Sequence, residues 1–281
     1  MKLLYLLCTL QMISINALGQ PIFNDPMYFA TASDTEHFPW LLILINSIHK
    51  YNPNKVEEIA VYDLGLTKDE IDVLSAMPSV VVYPIERVNP YVTTKFIVRP
   101  DGRVARGWYS WKPVVLYQAL QKFPYVLYID SGVEITSALD GIFITLIKNG
   151  YCLFDCGHEV EPMVTKRVKR LFEISKLSDK KILKNLGISG GIQGLTRQML
   201  DSYVIPIYKL AKDIRNFEDD GSSPGGFGAA RHDQALFSIQ ALKLKLRIHI
   251  LYFALQKYFI LRKHNEKDPA LIAHAKQHHI G

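Results

Sequence analysis

Cysteine is scarce in this chain, three among 281 residues, which excludes a fold stapled by disulfides. Cys152 and Cys156 lie in the apolar stretch Tyr151–Cys156, four strand steps apart, beyond the ~5.5–6 Å Cα separation that a disulfide spans. They read as two buried thiols, and no spacing of Cys or His supports a zinc site. No Asn-x-Ser/Thr acceptor occurs, no Gly-Lys-Ser/Thr follows a glycine-rich run, and no repeat or low-complexity tract divides the chain. The first absence removes N-glycosylation, the second a P-loop, the third an array of small domains. Acidic residues are missing between Asp233 and Glu266, where Lys243, Lys245, Arg247, Lys257, Arg262 and Lys263 accumulate.

What is present suits one globular domain. The hydrophobic share is 48% and the charged share 21%, enough to bury a substantial core, and the domain is expected over residues 27–265 with a polar tail over 266–281. His264, His274, His278 and His279 fall in or beside that tail without ligand spacing. The net charge of +6 and a pI near 9.0 suit an anionic partner. Nucleic acid is not expected to be that partner, because no recognisable module accompanies the charge. From Leu242 to Ile250 apolar and basic residues alternate, which predicts a strand with one basic face. Residues 251–263 then read as a basic amphipathic helix, for which peripheral membrane contact is one use and a solvated face the other.

Strands and helices alternate from the start. Met27–Asp34 reads as a strand running into small and polar residues, followed by a helix whose apolar face includes Phe38, Leu41, Leu42, Ile45 and Ile48. Ile59–Asp63 is a second strand. After the turn Leu64–Gly65–Leu66, Thr67 and Glu70 stand at capping-box spacing. Ser79–Tyr83 is a third, β-branched strand, and Tyr125–Ile129 a fourth that delivers Asp130 to the open turn Ser131–Gly132. The expected architecture is α/β, a mostly parallel central sheet with helices on both faces, whose ligands bind at the carboxyl ends of the strands. Residues 84–106 are the least regular stretch and predict a short hairpin around Asp101–Gly102 that walls one side of the site.

Six segments carry a resemblance through their order: Phe29–Ser33, Val61–Leu66, Trp111–Lys112–Pro113, Leu127–Gly132, Gly187–Gly191 and Arg231–Gln234. In that order they resemble glycosyltransferases of the GT-A, or nucleotide-diphospho-sugar transferase, type, from about Met27 to beyond Gln234. The resemblance implies a Rossmann-like domain that moves a sugar from a nucleotide-diphosphate donor to a hydroxyl of a glycan, lipid or protein. Thr31, Ala32, Ser33 and Asp34 would lie beside the base and ribose, with Asp63 shaping the same pocket. Trp111 and Lys112 would sit near the diphosphate. Asp130, with Ser131 and Gly132, occupies the family's Asp-x-Asp motif, whose carboxylates hold a divalent cation, Mn²⁺ or Mg²⁺, against the phosphates. Here the second carboxylate is replaced by Gly132. Glu134 stands four strand steps from Asp130, roughly 13 Å, so Asp130 is the one metal-ligand candidate and Lys112 the alternative source of positive charge. Ser189, Gly190 and Gly191 would contact donor sugar and acceptor.

The same resemblance places Asp233 and Gln234 facing the reacting sugar, with Asp233 the leading catalytic or sugar-orienting residue. The local pattern also lets Asp233 cap the helix it begins. The glycines of Gly187–Gly194 permit positive φ and exposed backbone N–H groups, or mark a bulged strand. Polar, glycine-rich Glu218–Gly226 predicts a loose loop, a lid or plain surface. Residues 1–19 combine Lys2, the apolar run Leu3–Leu10 and small residues at Ala17–Gly19, and read as a signal peptide or weak membrane anchor. A secretory-pathway or extracytoplasmic location follows, provided the compartment imports nucleotide sugars. The competing readings are a catalytically silent nucleotide- or sugar-binding protein on the same fold and a phosphatase-like enzyme with Asp130 as nucleophile. The last would want a second Asp at position 132.

Overall fold

The computed structural model describes residues 22–174, 181–249 and 258–261. The leader, the C-terminal tail with its histidines and most of the expected helix over 251–263 lie outside these. A seven-stranded sheet runs in the order β10 (Ile248–His249), β8 (Tyr151–Glu159), β9 (Leu186–Thr196), β6 (Tyr125–Ile129), β1 (Met27–Ser33), β2 (Val56–Asp63), β3 (Val80–Pro84). Every pairing is parallel except those of β9, which opposes both β6 and β8. The expected mostly parallel α/β sheet is therefore present.

The central strands are apolar along their whole length because both of their faces are covered. On one face α1 (Phe38–Tyr51), α2 (Lys68–Ser75) and α4 (Asp140–Asn149) bring Leu41, Ile45, Leu74 and Phe143 against Phe29, Val61 and Leu127. On the other, α3 (Trp111–Lys122) and α7 (His232–Lys243) pack Val115, Leu116, Leu236 and Ile239 against Ala30, Tyr128 and Leu195. Shorter helices α5 (Lys166–Leu171) and α6 (Ile205–Leu210) extend that second core through Val168 and Ile207. Each fully buried Leu, Ile or Phe contributes roughly 1.5–3 kcal/mol by leaving water. No helix among the described residues is long and apolar enough to cross a membrane.

Local signals hold where they are strongest. The capping box forms at α2: Thr67 Oγ1 accepts the Glu70 N–H at 3.3 Å and Glu70 Oε2 accepts the Thr67 N–H at 2.8 Å. The irregular stretch contains the hairpin β4 (Lys95–Ile97) and β5 (Val104–Arg106), closed by Val98 N–H to Arg103 O at 2.7 Å with Gly102 at φ +81°. A second small pair joins β7 (Val133–Ile135) to β11 (Phe259–Leu261).

Three expectations are corrected. Of the stretch expected as a helix over 251–263, the described residues Phe259–Leu261 are strand, paired with β7. Leu242 and Lys243 close α7, and the strand that follows keeps only Ile248–His249, because the buried face of the helix outweighs the alternation. The loop Glu218–Gly226 is tied down: the buried Asp219 carboxylate accepts the N–H groups of Gly221, Gly228 and Ala230 at 2.9, 2.7 and 3.3 Å. Cys152 and Cys156 are both free; Cys152 is buried, as expected, and burial pushes its thiol up to about 12, whereas Cys156 is only half-buried.

Candidate active site

Strand β1 is extended in sequence to β2 on one side of the sheet and is flanked by β6 on the other, so the crevice opens where the topology reverses, at their carboxyl ends. The first cavity there is about 230 Å³ and is lined by Ala32, Ser33, Asp34, Leu64, Trp111 and Arg106, among others. Asp130, Ser131 and Gly132 close its floor. A second cavity of about 170 Å³ lies beyond Asp130, against Lys112, Gly190, Gly191, Asp233 and Gln234. Asp130, Tyr109 and Arg103 line both, so the two adjoin at the Asp130 carboxylate.

Lys112 sits between two acids. Its Nζ is 3.0 Å from Asp130 Oδ2 and 3.6 Å from Asp233 Oδ2, and it donates to the Gly190 carbonyl at 3.0 Å. Three rings surround the ammonium: Tyr109, Trp111 and Tyr128, at 5.4, 5.6 and 5.8 Å to their centroids. Burial opposes the charge on Lys112, but the two carboxylates outweigh it and hold the ammonium above its usual range. Burial pushes Asp233 up to about 7, with Lys112 acting against that shift and Asp130 with it. Asp233 Oδ2 has no hydrogen-bond partner, an unsatisfied buried acceptor facing the second cavity.

The elements aim these groups. The turn Gly107–Tyr109 has left-handed φ at all three residues, +52°, +49° and +61°, and swings the Trp108 and Tyr109 rings against His232. Held φ/ψ strain of this kind costs on the order of 1–3 kcal/mol per residue and collects at functional sites. His232, itself at φ +41°, donates from Nδ1 to the Phe217 carbonyl at 2.7 Å, and burial lowers it to about 4, so it is a neutral strut at the start of α7. Asp233 follows as the second helical residue. The cap position is Arg231 and carries no side-chain cap bond, so Asp233 is not the cap, but it is the acid of the first turn, where it complements the helix dipole as expected.

Of the two readings of the glycines at β9, positive φ and a bulged strand, the structure has the second. None of Gly187, Gly190, Gly191 and Gly194 has positive φ; they lie in one continuous strand with shifts of register against β8. A Cβ on Gly191 would stand 2.9 Å from Asp130 Oδ2, and one on Gly190 3.0 Å from Asp233 Oδ2. The strand is bare so that both carboxylates can lie on it.

Most expected donor-side residues converge: Ala32, Ser33, Asp34, Trp111, Ser131 and Gly132 on the first cavity, Lys112, Gly190 and Gly191 on the second, Asp130 on both. Three do not. Thr31 is buried in the interior, with its Oγ1 unpartnered. Asp63 turns back, accepting the N–H groups of Gly65 and Leu66, each at 2.7 Å, and Leu64 takes its place at the cavity. Ser189 accepts the Gly191 N–H at 3.3 Å and lines neither cavity. His249, at the far strand β10, packs near Phe154 and lies outside both. Sequence reasoning missed Arg106 and Tyr128. Arg106 Nε pairs with the buried Asp34, which also accepts from His37 at 2.7 Å; burial raises Asp34, and these bonds overcome it and hold the carboxyl well below its usual range. Tyr128 donates its hydroxyl to Asp130 Oδ1. The basic residues of the predicted hairpin were the available signal for Arg106; an alternating buried strand gave none for Tyr128.

A divalent cation does not fit this donor set. Both Asp130 oxygens already accept, from Tyr128 and from Lys112. Gly132 offers no ligand, Glu134 lies within β7, and Asp233 stands on the opposite side of the same ammonium. Among the described residues no three His, Cys, Asp or Glu side chains converge on a point that could hold a metal. A hard cation can sit on one carboxylate with phosphate and water oxygens, but here it would have to take Asp130 from Tyr128 and Lys112, and the positive charge at this place is Lys112. The metal role expected of Asp130 is not supported by the geometry.

These features define an α/β protein with a strand-end crevice divided by an acid–lysine–acid line whose lysine and second acid are buried. No protein-family model matches the chain, and no curated protein does. Among solved structures the chain is similar to mouse xyloside xylosyltransferase 1 in its apo form, at 13% identity and a TM-score of 0.47 over 80% of this chain and 84% of that one. It is also similar to core-mannan synthase A from Aspergillus fumigatus in a Mn/GDP form, at 10% identity and a TM-score of 0.48 over 78% and 70%. A third is the galactosyltransferase LgtC with donor and acceptor sugar analogues, at 13% identity and 0.42 over 68% and 70%.

Proposed function

We propose that the protein is a glycosyltransferase that moves a sugar from a nucleotide-diphosphate donor to a hydroxyl of a glycan, lipid or protein. The observation that carries this reading is the line Asp130–Lys112–Asp233, its lysine and Asp233 buried and Asp130 partly exposed, at the seam of two cavities. In it the nucleoside occupies the first cavity, against Ala32, Ser33, Trp111 and the Arg106–Asp34 pair. The sugar lies in the second, against Asp233 and Gln234. Glycosyl transfer develops positive charge on the ring and negative charge on the departing diphosphate. Lys112 supplies fixed positive charge at the leaving group, and the ionised Asp233 stands where the ring needs a carboxylate. No step requires a second acid at position 132. Residues 1–19 fit an enzyme working in a secretory-pathway lumen supplied with nucleotide sugars.

The test is a panel of nucleotide sugars, with calorimetric binding and donor hydrolysis measured in parallel. Asp233→Asn is expected to lower turnover by about 10²-fold or more while donor affinity stays within a few-fold. Binding without turnover on any donor would identify a catalytically silent nucleotide-binding module instead. Absence of binding to every nucleotide sugar would sink both readings.

A further inference from the structure

Three arginines at the crevice differ from its other cations. Lys95 pairs with Glu36 at 2.7 Å, Arg106 with Asp34, and Lys112 with Asp130 and Asp233. Among the described residues, the guanidiniums of Arg99, Arg103 and Arg231 have neither an ion-pair nor a hydrogen-bond partner. Arg103 lines the first and second cavities, at the level of Asp130. Arg99 and Arg231 sit further out. Both line the second cavity and an open hollow of about 410 Å³ that continues from it past Pro100, Phe227 and Gly228.

The outer pair is built into place. Arg99 begins the turn of the β4–β5 hairpin, where its carbonyl accepts the Gly102 N–H at 3.0 Å. Gly228, at φ +92°, lies so close to this turn that a Cβ there would meet Pro100 Cδ at 2.8 Å. Its loop is fixed from below by Asp219 and leads directly into Arg231, whose own N–H bonds the Met163 carbonyl at 3.2 Å. Both arginines are half-buried. Burial lowers the Arg231 guanidinium from its usual range, and the neighbouring Arg99 and Arg103 lower it further. Asp101, the acid in the hollow, already accepts the Arg103 N–H at 3.0 Å. Asp101 pairs with neither guanidinium, and like charges held together without an ion-pair partner make a site whose cost is relieved by an incoming oxyanion, which two planar guanidiniums bind through charge-assisted hydrogen bonds.

We infer that Arg99 and Arg231 form an acceptor subsite for an acidic sugar, one bearing a carboxylate, sulfate or phosphate close to the hydroxyl that receives the glycosyl group. The assignment rests on the transferase reading, since the hollow is the acceptor side only if the donor sugar lies at Asp233. Its chemistry is nevertheless readable by binding alone. The experiment compares matched monosaccharide methyl glycosides, glucoside against glucuronide and galactoside against its 6-sulfate and 6-phosphate. Binding is measured by chemical-shift perturbation on the wild type and on Arg99→Gln/Arg231→Gln, whose folding is checked by circular dichroism. The wild type is expected to bind the acidic member about tenfold or more tightly at fixed ionic strength, and the double variant to lose that preference.

Nucleoside diphosphate affinity is read on the same samples. If the variant loses it as strongly as it loses the acidic glycosides, the arginines belong to the donor phosphates and the inference fails. It fails equally if the wild type does not discriminate acidic from neutral glycosides, or if the variant keeps the preference. Should acidic glycosides bind through Arg99 and Arg231 while no nucleotide sugar binds or turns over, the transferase reading falls and the oxyanion site stands as a lectin-like one.

Discussion

At the scale of single residues, the site is a contest between burial and charge, and Asp233 records the outcome. Its ordinary value near 3.8 rises to about 7 in the folded protein. Between those limits the native state binds a proton that the unfolded chain does not, so this group's contribution to stability falls as pH rises through the window and is constant above it. Asp233→Asn removes the effect. The wild type's melting temperature relative to that variant should therefore decline from about pH 4 to about pH 7 and then level off, measured by calorimetry across the range. A difference that grows with pH would contradict it. Catalytic loss in a variant that is no less stable at pH 8 is the signature of a carboxylate kept for function. Gly191 offers the complementary probe. An alanine there presses on Asp130 Oδ2 from 2.9 Å, and that carboxylate is pinned by Tyr128 and Lys112. Gly191→Ala should cost about 1–3 kcal/mol of stability by unfolding titration, as overpacking does, and weaken donor binding by calorimetry, whereas Gly132→Ala, with nothing within 4 Å, should leave stability unchanged.

At the scale of elements, what can be removed without touching the site is as informative as what cannot. Helix α2 is begun by its capping box and lies apart from both cavities. Thr67→Ala should cost about 1 kcal/mol of unfolding free energy and leave donor affinity unchanged, a control for every destabilised site variant. The same helix shows which parts of the molecule were legible in sequence. Its cap, the apolar strands β1, β2 and β6, and the hairpin at Asp101–Gly102 are local signals, set by spacing, burial or turn chemistry within a few residues. The ordering of Asp130, Lys112 and Asp233 into one site was legible only through the sequence of motifs. Their contact depends on residues far apart in the chain, 18 positions for Lys112 and Asp130 and more than a hundred for Lys112 and Asp233. What failed did so for nameable reasons. Asp63 was taken by its own turn, Thr31 faces the interior, and the alternation after Leu242 was overruled by a helix with a core to fill. No local pattern announces the left-handed run Gly107–Tyr109, because Trp and Tyr are disfavoured there and only the packed surroundings hold them.

At the scale of the whole molecule, the question is where the positive charge that meets the donor comes from. The chain carries a net charge of +6, and its crevice presents Lys95, Arg103, Arg106 and Lys112 around the acids. A transferase that borrows a divalent cation loses donor affinity when the ion is chelated. One whose cation is a side chain does not. Because Lys112 already neutralises Asp130 through Oδ2, Mn²⁺ could bind there only by displacing an ammonium held by two carboxylates, a carbonyl and three aromatic rings. Donor affinity measured by calorimetry at fixed ionic strength should thus be the same in EDTA and in Mn²⁺. It should instead weaken with added salt, since the outer cationic groups act across solvent with a screening length of about 8 Å at physiological ionic strength. Lys112→Met separates the two sources of charge. With the ammonium gone, Asp130 and Asp233 are left as facing acids, so stability should drop by about 3–5 kcal/mol, the cost of breaking a buried pair, and Mn²⁺ should recover part of it and of donor binding. Tightening of donor binding by Mn²⁺ in the wild type, by about tenfold or more, would mean that Lys112 leaves Asp130 when the donor arrives and that the metal takes its place.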